Sequence, residues 1–148
     1  MMFKSLLAVS ALAAPAFAQF CAEAARFGTL TFSPNPIVLG EEITFNASFI
    51  CATDLGYTPV YTDYTLVVPA ANNSGFQPPV YFARRDAPAS GIDVFTVTFD
   101  PNYSQFTTYP DAQYEILLTT THVATSDSNG QTLVQGSVEY PVTVLQAS

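Results

Sequence analysis

The chain has 148 residues, 49% of them hydrophobic and only 11% charged, with a formal net charge of −8. An acidic surface of this kind repels phosphate backbones and anionic headgroups, which disfavours nucleic acid and membrane surfaces as partners. A chain this short is expected to form one domain around one core.

Met1 to Ala18 reads as a cleavable secretory signal. Lys4 supplies the positive n-region, Leu6 to Ala14 the apolar h-region, and Ala16-Phe17-Ala18 the small-x-small cleavage site. The segment is too short to span a bilayer, and no later run of eighteen apolar residues follows, so no membrane insertion is expected. Cleavage after Ala18 would leave a secreted, extracellular domain over residues 19–148, and the loss of Lys4 would move the net charge from −8 to −9. In that oxidising compartment Cys21 and Cys51 are expected to form a disulfide. Such a bridge closes a loop of about 30 residues and contributes roughly 3–4 kcal/mol in the chain-entropy model. Reactive thiols would need a CxxC spacing or a cationic neighbourhood, which neither cysteine has. Two thiolates and the single, distant His122 make a poor metal set. Neither metal nor cofactor is expected.

Beyond Arg26 helical periodicity is nearly absent and alternation with period two takes over. Pro34-Asn-Pro36 and Gly40 break the chain before a strand in which Ile43, Phe45, Ala47, Phe49 and Cys51 share one parity and Thr44, Asn46 and Ser48 the other. Tyr64, Leu66 and Val68 mark the next strand, and Asn72 to Gly75 with Pro78-Pro79 end it. Val80 and Phe82 follow, then a turn over Asp86 to Gly91, then Phe95, Val97 and Phe99 alternating with threonines. Tyr114, Ile116 and Leu118 form another strand, and Asn129-Gly130 predicts a tight hairpin because both residues tolerate the positive φ of a type I′ turn. The last strand is the longest, with Val134, Gly136, Val138, Tyr140, Val142 and Val144 on one face. Pro141 within it removes a ladder donor, which predicts an edge strand or a switch of sheets. Seven or so short strands with these turns predict an all-β antiparallel sandwich. Asn46-Ala-Ser48, Asn72-Asn-Ser74 and Asn102-Tyr-Ser104 match the N-glycosylation acceptor pattern, so Asn46, Asn72 and Asn102 must face water if modified.

Two stretches carry a resemblance. Gly40-Glu-Glu-Ile43-Thr-Phe45-Asn-Ala47 is similar to the second strand of immunoglobulin-like domains. Tyr109-Pro-Asp111-Ala112-Gln-Tyr114-Glu-Ile116 resembles the start of strand F in immunoglobulin and fibronectin type III domains. The resemblance implies an immunoglobulin-like sandwich with Tyr114 as the corner tyrosine, two residues before a core position. Ala47 and Ile116 stand where the usual inter-sheet disulfide would be, so the bridge in this chain ties the N-terminal segment instead.

Catalytic chemistry is sparse. His122 lacks a nucleophile-elbow serine, and neither cysteine is expected to be free. Asp63, Asp93, Asp100, Asp111 and Glu115 could in principle pair for glycosidase work, yet turns and outward strand positions explain most of them. Asp127-Ser-Asn129-Gly130 lacks the ligands of a calcium loop. Arg84-Arg85 reads as a dibasic processing site or as a charged edge that blocks strand pairing. Aromatics are 14% of the chain, with Tyr103, Phe106 and Tyr109 in one loop and Tyr57 and Tyr61 around the turn after Cys51. Exposed rings of this kind stack on sugars or anchor proteins; buried ones would plug the ends of the sandwich. The expectation is therefore a non-enzymatic, secreted or surface-associated module that binds extracellular glycan or cell-wall material through these loop aromatics. The alternatives are a protein-recognition module (adhesion, effector or inhibitor) and a carrier holding an apolar ligand between the sheets.

Overall fold

A computed structural model describes residues 21–73, 78–125 and 130–146. The leader expected at Met1–Ala18 lies outside them, as do Asp127 and Asn129. Nine strands follow in chain order: β1 (Thr29–Ser33), β2 (Ile37–Val38), β3 (Glu42–Ser48), β4 (Pro59–Val67), β5 (Val80–Asp86), β6 (Ile92–Thr98), β7 (Tyr114–Thr125), β8 (Gln131–Val142) and β9 (Val144–Leu145). β2 and β9 are two-residue segments, which leaves the seven longer strands that the alternation predicts.

The strands form a three-stranded sheet of order β1-β3-β6 and a four-stranded sheet of order β5-β4-β7-β8, both antiparallel. β2 and β9 add a short parallel pair at one side. The two larger sheets pack face to face as an all-β sandwich. Ile43, Phe45 and Ala47 of β3 and Tyr114, Ile116 and Leu118 of β7 are buried, while Thr44 and Asn46 face water. Period two thus converts directly into a wet and a dry face. Rings fill the space between the sheets. Phe45 stacks on Phe95 at 5.3 Å and meets Phe82 of the opposite sheet at 5.1 Å, and Tyr64 meets Phe95 edge-on at 4.8 Å.

The strand predicted to run through Cys51 stops at Ser48. Cys51 lies instead in a short helix, α1 (Ile50–Asp54), which ends in a Schellman motif. The N–H of Gly56 donates to the Thr53 carbonyl and that of Tyr57 to the Ala52 carbonyl, a geometry that needs the positive φ of 87° at Gly56. Alternation cannot foresee this, because Phe49 and Cys51 continue the apolar parity while the backbone has already turned. The disulfide forms as expected: Cys21 and Cys51 are bonded with their Cα atoms 5.2 Å apart, and no free cysteine remains. Pro141 sits in β8, an edge strand, and the chain beyond it leaves for β9 and its pairing with β2. A second one-turn helix, α2 (Ser104–Thr108), occupies the loop between β6 and β7.

Candidate functional site

The end of the sandwich that carries α2 holds the first group of predicted aromatics. α2 turns Phe106 inward, where it is 1% exposed and packs against Phe99 and Tyr114 at 6.0 and 5.8 Å. Tyr109 is half-buried, its hydroxyl donating to the Asn73 carbonyl at 3.2 Å. Tyr103 is exposed, with its ring edge-on to Phe106. Tyr114 is buried and its hydroxyl donates to the Tyr109 carbonyl, five residues upstream, at 2.9 Å. That is the corner bond expected of this residue, and burial pushes its phenol up to about 12. Tyr114→Phe removes this bond and leaves the Tyr109 carbonyl with the Ala112 N–H alone, so it should lower stability by about 1 kcal/mol in denaturant titration. An unchanged midpoint would remove the corner bond from the stability of the fold.

At the opposite end the Schellman turn delivers Tyr57 against Phe27 and His122, with ring centroids 5.6 and 5.2 Å away. Phe27 stacks on His122 at 5.9 Å. His122 is therefore buried, and its Nδ1 has no hydrogen-bond partner among the described residues. Tyr61 lies within β4 on the outer face of the four-stranded sheet, with the Arg84 guanidinium 4.4 Å from its ring.

The dibasic pair is locked on the two faces of β5, as adjacent strand residues must be. Arg84 forks onto Asp63 through Nε and Nη2 at 2.7 and 2.9 Å, and Tyr81 donates its hydroxyl to the same carboxylate. Arg85 reaches across to Asp93 of the other sheet at 2.9 Å, where the Tyr64 hydroxyl also donates. Both acids are buried, and each is answered by its own arginine rather than by a second carboxylate. This placement fits the edge-blocking role of the pair. The hydrogen-bonded Arg84 guanidinium holds the Asp63 carboxyl below its ordinary range, against burial that acts the other way. A carboxyl depressed in the folded state contributes stability above its unfolded pKa, near 4, and loses it as pH falls through the folded value. Asp63→Asn should therefore be clearly less stable than the parent chain at pH 6, and the gap should narrow below pH 4. A gap independent of pH would show that the ion pair contributes nothing.

Asn46 is exposed on the outer face of β3, Asn72 on a 3-10 turn, and Asn102 in the turn before α2, where its backbone N–H and Nδ2 both reach Asp100 Oδ1. Ser74, which completes the second acceptor pattern, lies outside the described residues.

One feature escaped the reading of the sequence. β7 pairs with β4 only as far as His122 opposite Pro59, but with β8 as far as Thr125 opposite Gln131. The last three pairs, Val123 with Leu133, Ala124 with Thr132 and Thr125 with Gln131, form a two-stranded ribbon beyond the sheet. Its apolar side chains face solvent: Leu133 is 57% exposed, Val134 40% and Val123 38%. No charged residue occurs from Gln131 to Val138. The other edges are protected by devices that stop strands from pairing. β5 carries Arg84, Arg85 and Asp86 after Pro78-Pro79, and β6 points Asp93 inward, although it also exposes Ile92 and Val94. β1 has only five residues, runs into Pro34 and Pro36, and gives its Leu30 N–H to the Tyr140 hydroxyl at 2.9 Å. The lower half of β8 has Glu139 and Pro141. Its upper half has nothing of the sort. The absence of charge across eight residues was the signal that could have found it.

No family model and no curated protein matches the chain. A solved structure does: superoxide reductase (neelaredoxin) from Ignicoccus hospitalis, with a TM-score of 0.40 at 10% identity over 78% of this chain and 80% of that one. A likeness of that size carries no argument about activity. The expected module that binds glycan or cell-wall material through loop aromatics is nonetheless corrected. The packing of the predicted aromatics is what overturns it. Phe106, Tyr109 and Tyr57 spend their faces on neighbouring rings and backbone, and Tyr61 on Arg84, so these residues form no row of free rings. Of the three loop rings only Tyr103 is exposed, and the rings between the sheets fill the space that a carried ligand would need.

Proposed function

We propose that this chain is a non-catalytic assembly module whose β8 edge accepts a further β-strand and so extends the four-stranded sheet. The observation that carries the reading is the uncharged β8 edge at Gln131–Val138, with exposed Leu133 and Val134, on a sheet whose opposite edge, β5, carries Arg84, Arg85 and Asp86. A two-stranded ribbon is marginal in water, and a third strand would pair its open backbone while packing beside Leu133 and Val134. The strand orders of the two sheets and the parallel pairing of β2 with β9 support an immunoglobulin-like architecture as the scaffold. An extracellular setting belongs to the same reading. It is supported by the Cys21–Cys51 bridge and by the leader sequence, and among the described residues no helix is long and apolar enough to cross a membrane.

Hydrogen exchange in the presence of uncharged eight-residue peptides rich in Val, Thr and Leu tests the reading. Amides within 131–138 should slow several-fold while those of β5 and β6 stay unchanged. Protection absent from β8, or spread equally over every edge, would overturn it.

A further inference from the structure

We infer that the strand added to β8 comes from a second copy of this chain, laid antiparallel about a two-fold axis through Leu133, giving one continuous eight-stranded sheet across a closed dimer. The inference rests on the assembly reading above and names its partner. An isologous interface requires a surface that complements itself. Gln131-Thr-Leu-Val-Gln135 does so: centred on Leu133, antiparallel pairing sets Gln131 against Gln135, Thr132 against Val134, and Leu133 against its own copy. Gln131 then faces Gln135, whose Nε2 donates to Thr121 and whose oxygen can accept, while Leu133 meets its own copy on one face and Val134 meets the Thr132 methyl on the other.

Charge selects the same occupant. The chain is strongly acidic, yet this stretch carries neither sign, so no like charges are brought together when two copies meet along it. A charged peptide would find no counter-ion within the strand. The ribbon also stands clear of β4, so a neighbouring ribbon can approach without the sandwich body of either copy intervening. Within this sheet growth stops at two, because pairing consumes the β8 edge and leaves β5, with Arg84, Arg85 and Asp86, at both ends of the joined sheet. The net charge of each copy opposes encounter from a distance, which predicts association that strengthens with salt, opposite to the behaviour of a pair held by ion pairs.

Sedimentation velocity over a concentration series, combined with cysteine cross-linking, tests the inference. All native cysteine is in the disulfide, so an introduced thiol is unique. Residues directly opposite in an antiparallel pair have Cα atoms about 4.5–5.5 Å apart, within reach of a disulfide. Leu133→Cys should therefore oxidise to a covalent dimer in high yield, and Gln131→Cys mixed with Gln135→Cys should cross-link more than either alone. Thr53→Cys, exposed on α1, should not. Leu133→Lys should weaken the dimer at least tenfold while leaving the denaturation midpoint in place, since that side chain is mostly exposed, and raising salt should tighten the parent dimer. A dimer in which Leu133→Cys cross-links no better than Thr53→Cys overturns the register and the axis. A chain that stays monomeric at every concentration overturns the second-copy inference; if uncharged peptides still protect 131–138 in that case, the strand-accepting edge itself stands.

Discussion

Phe106→Ala is expected to destabilise the fold by about 3–5 kcal/mol, while Tyr103→Ala three residues away should stay within about 0.5 kcal/mol. Phe106 is 1% exposed and closes the end of the core between Phe99 and Tyr114, so removing its ring forfeits the transfer energy and leaves a cavity. The surroundings have little freedom to collapse into that cavity. Tyr114 is held by its bond to the Tyr109 carbonyl, and Tyr109 by its bond to Asn73. Tyr103 touches Phe106 by its edge and is 41% exposed, so its loss removes one aromatic contact and far less burial than the loss of Phe106. Urea titrations of the two variants against the parent chain decide the matter. A Phe106→Ala midpoint close to the parent's would mean that the ring is not a plug, and would reopen the loop as a contact surface.

This contrast also marks where the sequence stopped being legible. Two-residue alternation located β3 and β7 and assigned their faces, because Ile43, Phe45, Ala47, Tyr114, Ile116 and Leu118 carry the solvent boundary in their own chemistry. Tyr114 could be placed because its bond is local, five residues along the same chain. The aromatics outside strands had no such period. One turn of helix decides that Phe106 and Gln105 point inward and Tyr103 outward, and five residues are too few for a helical pattern to register. The ion pairs were invisible for another reason: Arg84 finds Asp63 across the β4–β5 ladder with a bulge between Tyr64 and Thr65, and Arg85 finds Asp93 across two sheets. Partners of that kind depend on register and layer order, which spacing does not encode. The β8 edge was half legible. Its lack of charge is written in the sequence, but its exposure follows from β7 and β8 outrunning β4.

Reducing the Cys21–Cys51 bond, or replacing both cysteines with serine, should lower stability by about 3–4 kcal/mol without unfolding the domain. The bridge spans 30 residues, so its main effect is to deny the unfolded chain the conformations of an open loop of that size. The folded state should survive, because the buried core is built without either cysteine. The N-terminal segment is also held by other contacts. The Thr120 hydroxyl donates to the Phe27 carbonyl at 2.6 Å, and the Phe27 ring lies on His122 and over Gly136, where a Cβ would run into it. For a domain of this size each kcal/mol corresponds to roughly 3–5 °C, so the melting temperature should fall by about 10–15 °C. Hydrogen exchange should rise most around Glu23–Ala25 and α1, the two segments that the bond joins, and least in β3 and β7. Thermal melts with and without reductant, with alkylation to confirm that the thiols have been released, measure both effects. A reduced protein that melts at the oxidised temperature would show that the 30-residue loop is already restrained in the unfolded chain, and that the Phe27 contacts alone hold the segment.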